Sequence, residues 1–370
     1  MIALVARCRA TANKKRMLSC SKLLAGFLLL QTLCINAIAD LTLNDQGIEE
    51  QVIEELSTDN QIEVMILSKF HPQQVVIETQ SRLFEFGPNQ VKNFQFSEQL
   101  NQPISITVNG VETRYYRGAI QLQWQGSEYR IINTTPLEIY VAGVVVGELG
   151  AHASRELVKA QAIIARTYAL KKSQSVRLSD LAYHQVFHGF NHYAEAVYSV
   201  SRQTQHQVLK TEGRLTEALF HGECGSKIFS AAQFFDSGDF FTALDLPTQM
   251  QQGQRWQVRL NAAQLAKVFT TASAVSLQPG TPTKVVVDNQ AFAAETFRLM
   301  VNREYDWNTI PSNDFKITKI AGGWQLEGFG RGHLVGLCQQ QANALAKQGW
   351  SASQLLALFY PMASIELYDR

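Results

Sequence analysis

Between Ile139 and Leu170 the chain reads IYVAGVVVGELGAHASRELVKAQAIIARTYAL, and no other stretch restricts the fold as much. An apolar run, Ile139 to Val146, ends at Gly147-Glu148-Leu149-Gly150, which leaves one carboxylate between two glycines. Ser154 is then placed to cap a helix, with Glu156 in the first turn, where the helix dipole favours a negative charge. The residues that follow are apolar or small on nearly every side (Leu157, Val158, Ala160, Ala162, Ile163, Ile164, Ala165), and a helix of that kind is a buried one. Lys159 and Arg166 nevertheless share a stripe of it, with Gln161 nearby. Buried charges need a partner or a cleft. These three side chains therefore either line a groove that receives a ligand or form a network that holds the Glu148 loop. Glu148 itself is either an active-site acid or a turn carboxylate paired with Lys159 or Arg166.

Two later stretches carry residues suited to chemistry. ALFHGECGSK (Ala218 to Lys227) and GFGRGHLVGLCQQQANALAKQGW (Gly328 to Trp350) each set a histidine, His221 or His333, among glycines, where a side chain on a loop is open to a ligand. The three stretches, in this order, resemble the SpoIID/LytB family, whose members work on bacterial peptidoglycan, and the resemblance covers roughly residues 135–362.

The resemblance implies a lytic transglycosylase that cuts the MurNAc–GlcNAc bond and leaves a 1,6-anhydro end, on strands stripped of stem peptides. It places Glu148 at the family's catalytic glutamate, acting as acid and then as base, and it puts His221, His333 and Gln339 in the site region. Lys159, Gln161 and Arg166 are the accompanying candidates for sugar binding. Such a mechanism requires no metal or organic cofactor. It does require an acid that is protonated near neutral pH, which the apolar neighbours Val144, Val145, Val146 and Leu149 would supply by burial. The family also contains amidase enhancers, so a non-catalytic glycan binder that stimulates a cell-wall amidase is the alternative. A hydrolytic muramidase would need a second carboxylate, for which Asp236, Asp239 and Asp245 in an aromatic loop are the candidates. The chain departs from the family pattern at Ser226, Leu334 and Gln341, where glycines are common.

Composition narrows the partners. A chain of 370 residues with a formal net charge of +1 has no electrostatic footprint for nucleic acid. At the N-terminus, Lys14, Lys15 and Arg16 precede an apolar Leu23–Leu33 and then Ala37-Ile38-Ala39, the pattern of a signal peptide cleaved after Ala39. Met17 is an alternative start, and a short membrane anchor is the competing reading of the same run. With cleavage the chain is periplasmic or secreted and keeps no transmembrane segment. Cys8, Cys20 and Cys34 leave with the leader; Cys224 and Cys338 remain, either joined as a disulfide in an oxidising compartment or as two buried thiols.

The fold expected is α+β, with a β-rich region over 40–134 and a catalytic region over 135–370 that combines the buried helix, antiparallel strands and C-terminal helices. Residues 40 to about 60 are acidic and read as a leading helix or arm. Short runs from Gln61 to Asn133 alternate Val, Ile, Tyr and Phe with polar residues, with turns at Asn109-Gly110 and Gln125-Gly126. This β region is either a glycan-binding face or a packing layer. His184, His188 and His192 have helical spacing, but Gly189, Phe190 and Asn191 interrupt any helix there, so no metal site is assigned. Asn261 is a predicted N-cap, residues 271 to 327 read as mostly β, and two helices end the chain, the second opened by a Ser351/Gln354 capping box.

Overall fold

The β runs become two sheets whose alternation is that of the sequence: in β1 (Gln61–Ile66), Ile62, Val64 and Ile66 are buried while Gln61 and Glu63 face solvent. The computed structural model describes residues 61–150, 152–225, 253–278, 281–306 and 308–368. The leader, the acidic arm, Ser226 and the loop aspartates Asp236, Asp239 and Asp245 lie outside those residues.

One sheet runs β4 (Asn93–Ser97), β7 (Ala119–Gln125), β8 (Glu128–Pro136), β1 and β9 (Leu178–Ser179) in that order, antiparallel except for β1 against β9. The other runs β3 (Leu83–Phe86), β2 (Val75–Glu78), β5 (Ile104–Val108) and β6 (Glu112–Tyr116). Asn109 and Gly110 both have left-handed backbone, φ 52° and 67°, as the tight β5–β6 turn demands.

Pro136 closes β8 and α1 begins at once, Leu137–Leu149. Its Val and Ile content favours a strand. Burial overrides that preference: every residue from Leu137 to Val145 is buried, and a helix satisfies all its backbone groups internally. The buried helix foreseen after Ser154 is α2, Arg155–Ser173. Ser154 occupies the N-cap position, but its hydroxyl makes no capping bond and has no partner. The cap is supplied from elsewhere, since Ser154 N–H donates to Asn343 Oδ1 at 3.1 Å. Glu156 accepts from Ala352 N–H at 2.8 Å, so one carboxylate serves the starts of two helices.

Helix α2 is shared between two apolar cores. Val158, Ala162, Ala165 and Ala169 pack with the β1 and β8 strands and α1. Leu157, Ala160, Ile163 and Ile164 pack with the C-terminal half. That half contains α3 (His192–Ser201), β10 (Gln207–Thr211), β11 (Arg214–Leu215), β12 (Phe220–His221), β13 (Arg255–Asn261), α4 (Ala262–Phe269), β14 (Val275–Gln278), β15 (Thr281–Val287), β16 (Gln290–Ala293), α5 (Ala294–Glu304), β17 (Phe315–Ile320), β18 (Gly323–Phe329), β19 (Leu337–Cys338), α6 (Gln339–Lys347) and α7 (Ala352–Phe359). Asn261 and Ser351 cap α4 and α7 with complete capping boxes, as their sequences indicate. Residues 271–327 are mainly strands, as expected, but helix α5 interrupts them; its Phe297 and Val301, one turn apart and both fully buried, are the signal that could have found it. The architecture is α+β.

Candidate active site

Glu148 lies one residue from the C-terminal end of α1. The helix brings it against the 180–190 segment through Gly143 and Gly147, one turn apart: a Cβ at Gly147 would stand 2.3 Å from Val186 O, and one at Gly143 would stand 2.5 Å from Gly189 O and the Phe187 ring. With that close approach, Val186 N–H donates to Glu148 Oε1 at 2.6 Å. Burial raises the Glu148 pKa to about 7, and the Val186 bond opposes the shift. The negative end of the α1 dipole also disfavours the carboxylate. Because Oε1 accepts from Val186, the acidic proton of Glu148 sits on Oε2. Gly147→Ala should cost about 1–3 kcal/mol by overpacking against Val186, as checked by urea denaturation.

The 180–190 segment is held from the β region. Arg114 Nη1 on β6 donates to Asp180 Oδ2 at 3.0 Å and to Phe187 O at 3.5 Å, and Leu67 N–H donates to Asp180 Oδ2 at 2.8 Å. From α1, Tyr140 Oη donates to Gln185 Oε1 at 3.2 Å. The β region thus packs beneath the loop that carries the hydrogen-bond donor of Glu148. None of these partners was foreseen, because a backbone N–H and a long-range ion pair leave no local pattern. His184 accepts from Ser179 N–H at 3.0 Å, and the His192 ring lies against Tyr193, so these two histidines have separate partners.

The other predicted residues fall in two places. Lys159 pairs with Glu156 at 2.7 Å, and neither pairs with Glu148. Arg166, a candidate both for sugar binding and for a buried network, is 1% exposed. Its Nε and Nη2 bind the two oxygens of Glu138 at 2.7 and 2.6 Å, and Nη1 donates to Gln207 O at 3.0 Å. Those bonds spend the guanidinium inside the protein, so the sugar-ligand reading gives way to the buried pair. Gln161 is fully buried with neither amide atom hydrogen-bonded.

His221, His333, Cys224, Cys338 and Gln339 come together where β12 and β19 pair in parallel, His221 opposite Cys338. A Cys224–Cys338 disulfide joins the two loops, with the Cα atoms 5.6 Å apart, and the histidine ring centroids are 6.1 Å apart. His221 Nδ1 donates to Val335 O at 3.1 Å, while Val335 N–H donates to His333 Nδ1 at 3.1 Å. Burial lowers their pKa values to about 3 and about 4, so both are neutral imidazoles near pH 7 and add no positive charge. The hydrogen-bond and electrostatic neighbours of Glu148 are Val186, Tyr140 and Tyr168, a set distinct from those of the histidines.

Leu334 stands in left-handed backbone at φ 64°, a conformation that favours the glycine expected there, yet it is fully buried. Its side chain fills the space beside Gly225, where a Cβ would stand 2.6 Å from Leu334 Cδ1. Gln341, the other described departure, is buried on α6. Reducing the disulfide of the metal-free chain should cost about 2–5 kcal/mol, given the long loop it closes, which thermal unfolding with and without a phosphine reductant measures.

Residues 125–216 match the model of the SpoIID family, described as Stage II sporulation protein. Over 283 residues the chain is 26% identical to an uncharacterised protein of Brachyspira hyodysenteriae, covering 72% of this chain and 75% of that one. Over 270 residues it is 24% identical to Stage II sporulation protein D of Bacillus amyloliquefaciens, covering 64% and 76% respectively.

Proposed function

We propose, with the SpoIID match of residues 125–216 as the premise, that this chain cleaves peptidoglycan glycan strands by lytic transglycosylation. SpoIID membership suggests a cell-wall-related function; the reaction is the finer reading that the chemistry of Glu148 supports. In the first step Glu148 Oε2–H protonates the glycosidic oxygen between MurNAc and GlcNAc, and the C1–O bond breaks toward an oxocarbenium-like MurNAc. In the second, the MurNAc C6 hydroxyl attacks C1 and gives its proton to the Glu148 carboxylate. The product is a 1,6-anhydro end, and Glu148 returns to its acid form.

The observation that carries this reading is a carboxyl whose pKa of about 7 is set by burial with no cation among its influences. Such a group holds a proton at neutral pH and takes one back with nearly equal ease. Lys159 and Arg166, two of the cations of α2, are engaged with Glu156 and Glu138. Peptide-stripped strands are the proposed substrate, and the proposed site of action is the periplasm or the exterior. No helix among the described residues is long and apolar enough to cross a membrane.

Mass spectrometry of products from purified glycan strands, with and without stem peptides, tests the reading. Anhydro-ended fragments are expected. Reducing ends would indicate a hydrolytic muramidase, and intact strands with retained binding would indicate an amidase enhancer.

A further inference from the structure

The loop junction of His221, Cys224 and Cys338 holds more than a covalent staple. One ring nitrogen of His221 and the two sulfurs all lie within 4.8 Å of one another, and the three residues are buried. Since a carbonyl oxygen can only accept, the bond from His221 to Val335 O puts the ring proton on Nδ1 and leaves the lone pair on Nε2. That Nε2 is buried and has no hydrogen-bond partner, in a residue 3% exposed. An unpartnered buried acceptor on a ring that lies beside two sulfurs requires an explanation, because desolvating it without a partner is costly.

We propose that Cys224, Cys338 and His221 form a Zn²⁺ site when the disulfide is reduced, so that the two loops are tied either by the S–S bond or by the metal, never by both. The site does not depend on the glycan reading. The exchange balances: a dithiol reductant of the thioredoxin class gives two electrons and two protons to the disulfide, becoming a disulfide itself. Zn²⁺ then displaces the two thiol protons and forms two Zn–S bonds and one Zn–N bond.

Three features fit the metal. Two thiolates and one imidazole are zinc's preferred donors, and a Cys₂His set leaves the fourth position for water. Thiolates in tetrahedral zinc sites stand about 3.8 Å apart, from Zn–S bonds of about 2.3 Å, a separation that Cα atoms 5.6 Å apart accommodate. The imidazole already has the outer partner that metal-bound histidines use, an N–H to a backbone carbonyl that fixes tautomer and ring orientation.

The test compares the full chain with its disulfide intact and the same chain reduced with a phosphine, both stripped of metal. The reduced chain should bind one Zn²⁺ in competition with a chromophoric chelator, and its Co²⁺ form should show thiolate-to-cobalt charge-transfer absorption. Zinc should also recover much of the melting temperature lost on reduction. The oxidised chain should show none of this, which separates the site from surface histidines. His221→Gln should weaken binding by at least about tenfold, the loss expected even for an outer-shell partner. Should that variant fail to fold, the ¹⁵N shift of His221 Nε2 in the reduced wild type, with and without zinc, reports ligation directly. Equal binding by both redox forms, no binding by the reduced form, or an unmoved His221 resonance overturns the proposal.

Discussion

Glu148→Gln is expected to abolish glycan cleavage, with a loss near the upper end of the roughly 10²–10⁴-fold range of general acid–base catalysis, while the fold is kept. Glutamine can still accept from Val186 N–H through its own Oε1, so the loop contact at 2.6 Å in the wild type has an isosteric replacement. What it lacks is an acidic proton to give and a basic oxygen to take one back, and Glu148 is asked for both. A binder or enhancer would tolerate the change; a transglycosylase would not.

The same carboxyl sets the pH profile. Cleavage should be flat below about 7 and fall tenfold per pH unit above it, because the first step needs the protonated form. His221 and His333, with values of about 3 and 4, add no second limb between pH 5 and 9. Stability gives an independent readout. The folded pKa of about 7 lies above the ordinary 4.5, so between those values the folded state binds more protons than the unfolded one. Wild-type stability attributable to this group is therefore intact below about 4.5 and is lost as pH rises through 7. Glu148→Gln should remove that slope, and the variant should gain on the wild type across the window and hold its advantage above it. Parallel stability curves for the two proteins would show that Glu148 is not buried as an acid.

What could be read from the sequence was whatever local pattern encodes. The apolar continuity of Leu157–Ala169 announced a buried helix, Asn261/Gln264 and Ser351/Gln354 announced two helix starts, and the Gly-Glu at the end of the apolar run marked the candidate site. The hairpin at Asn109-Gly110 was legible for the same reason, since only certain residues accept two left-handed conformations in succession. The partners were not legible. Arg114 and Asp180 lie 66 residues apart, and the donor to Glu148 is the backbone of Val186, an atom every residue but proline carries. Gly143 and Gly147 looked like interruptions of an apolar run. They are the positions at which α1 touches the Val186 segment, a fact that only packing reveals.

The buried pair of Glu138 and Arg166 should dominate stability. Arg166→Met leaves the Glu138 carboxylate in the core without its bidentate partner, and breaking such a pair costs about 3–5 kcal/mol. The double variant Glu138→Leu/Arg166→Met removes both charges and should cost less than the single change, the difference being the penalty of the orphaned carboxylate. Urea unfolding with unchanged m-values would measure both; a single-variant loss within about 1 kcal/mol of zero would place the pair among weak surface bridges. The pair's position also bears on the site. Glu138 and Glu148 occupy opposite ends of α1, ten residues and so about 15 Å apart along its axis. The helix that carries the acid thus consumes the guanidinium of α2 at its far end. Clamped to Glu138, Arg166 ties α1 to α2 at the end of α1 away from Glu148, and burial sets the proton affinity of the carboxyl at the other end.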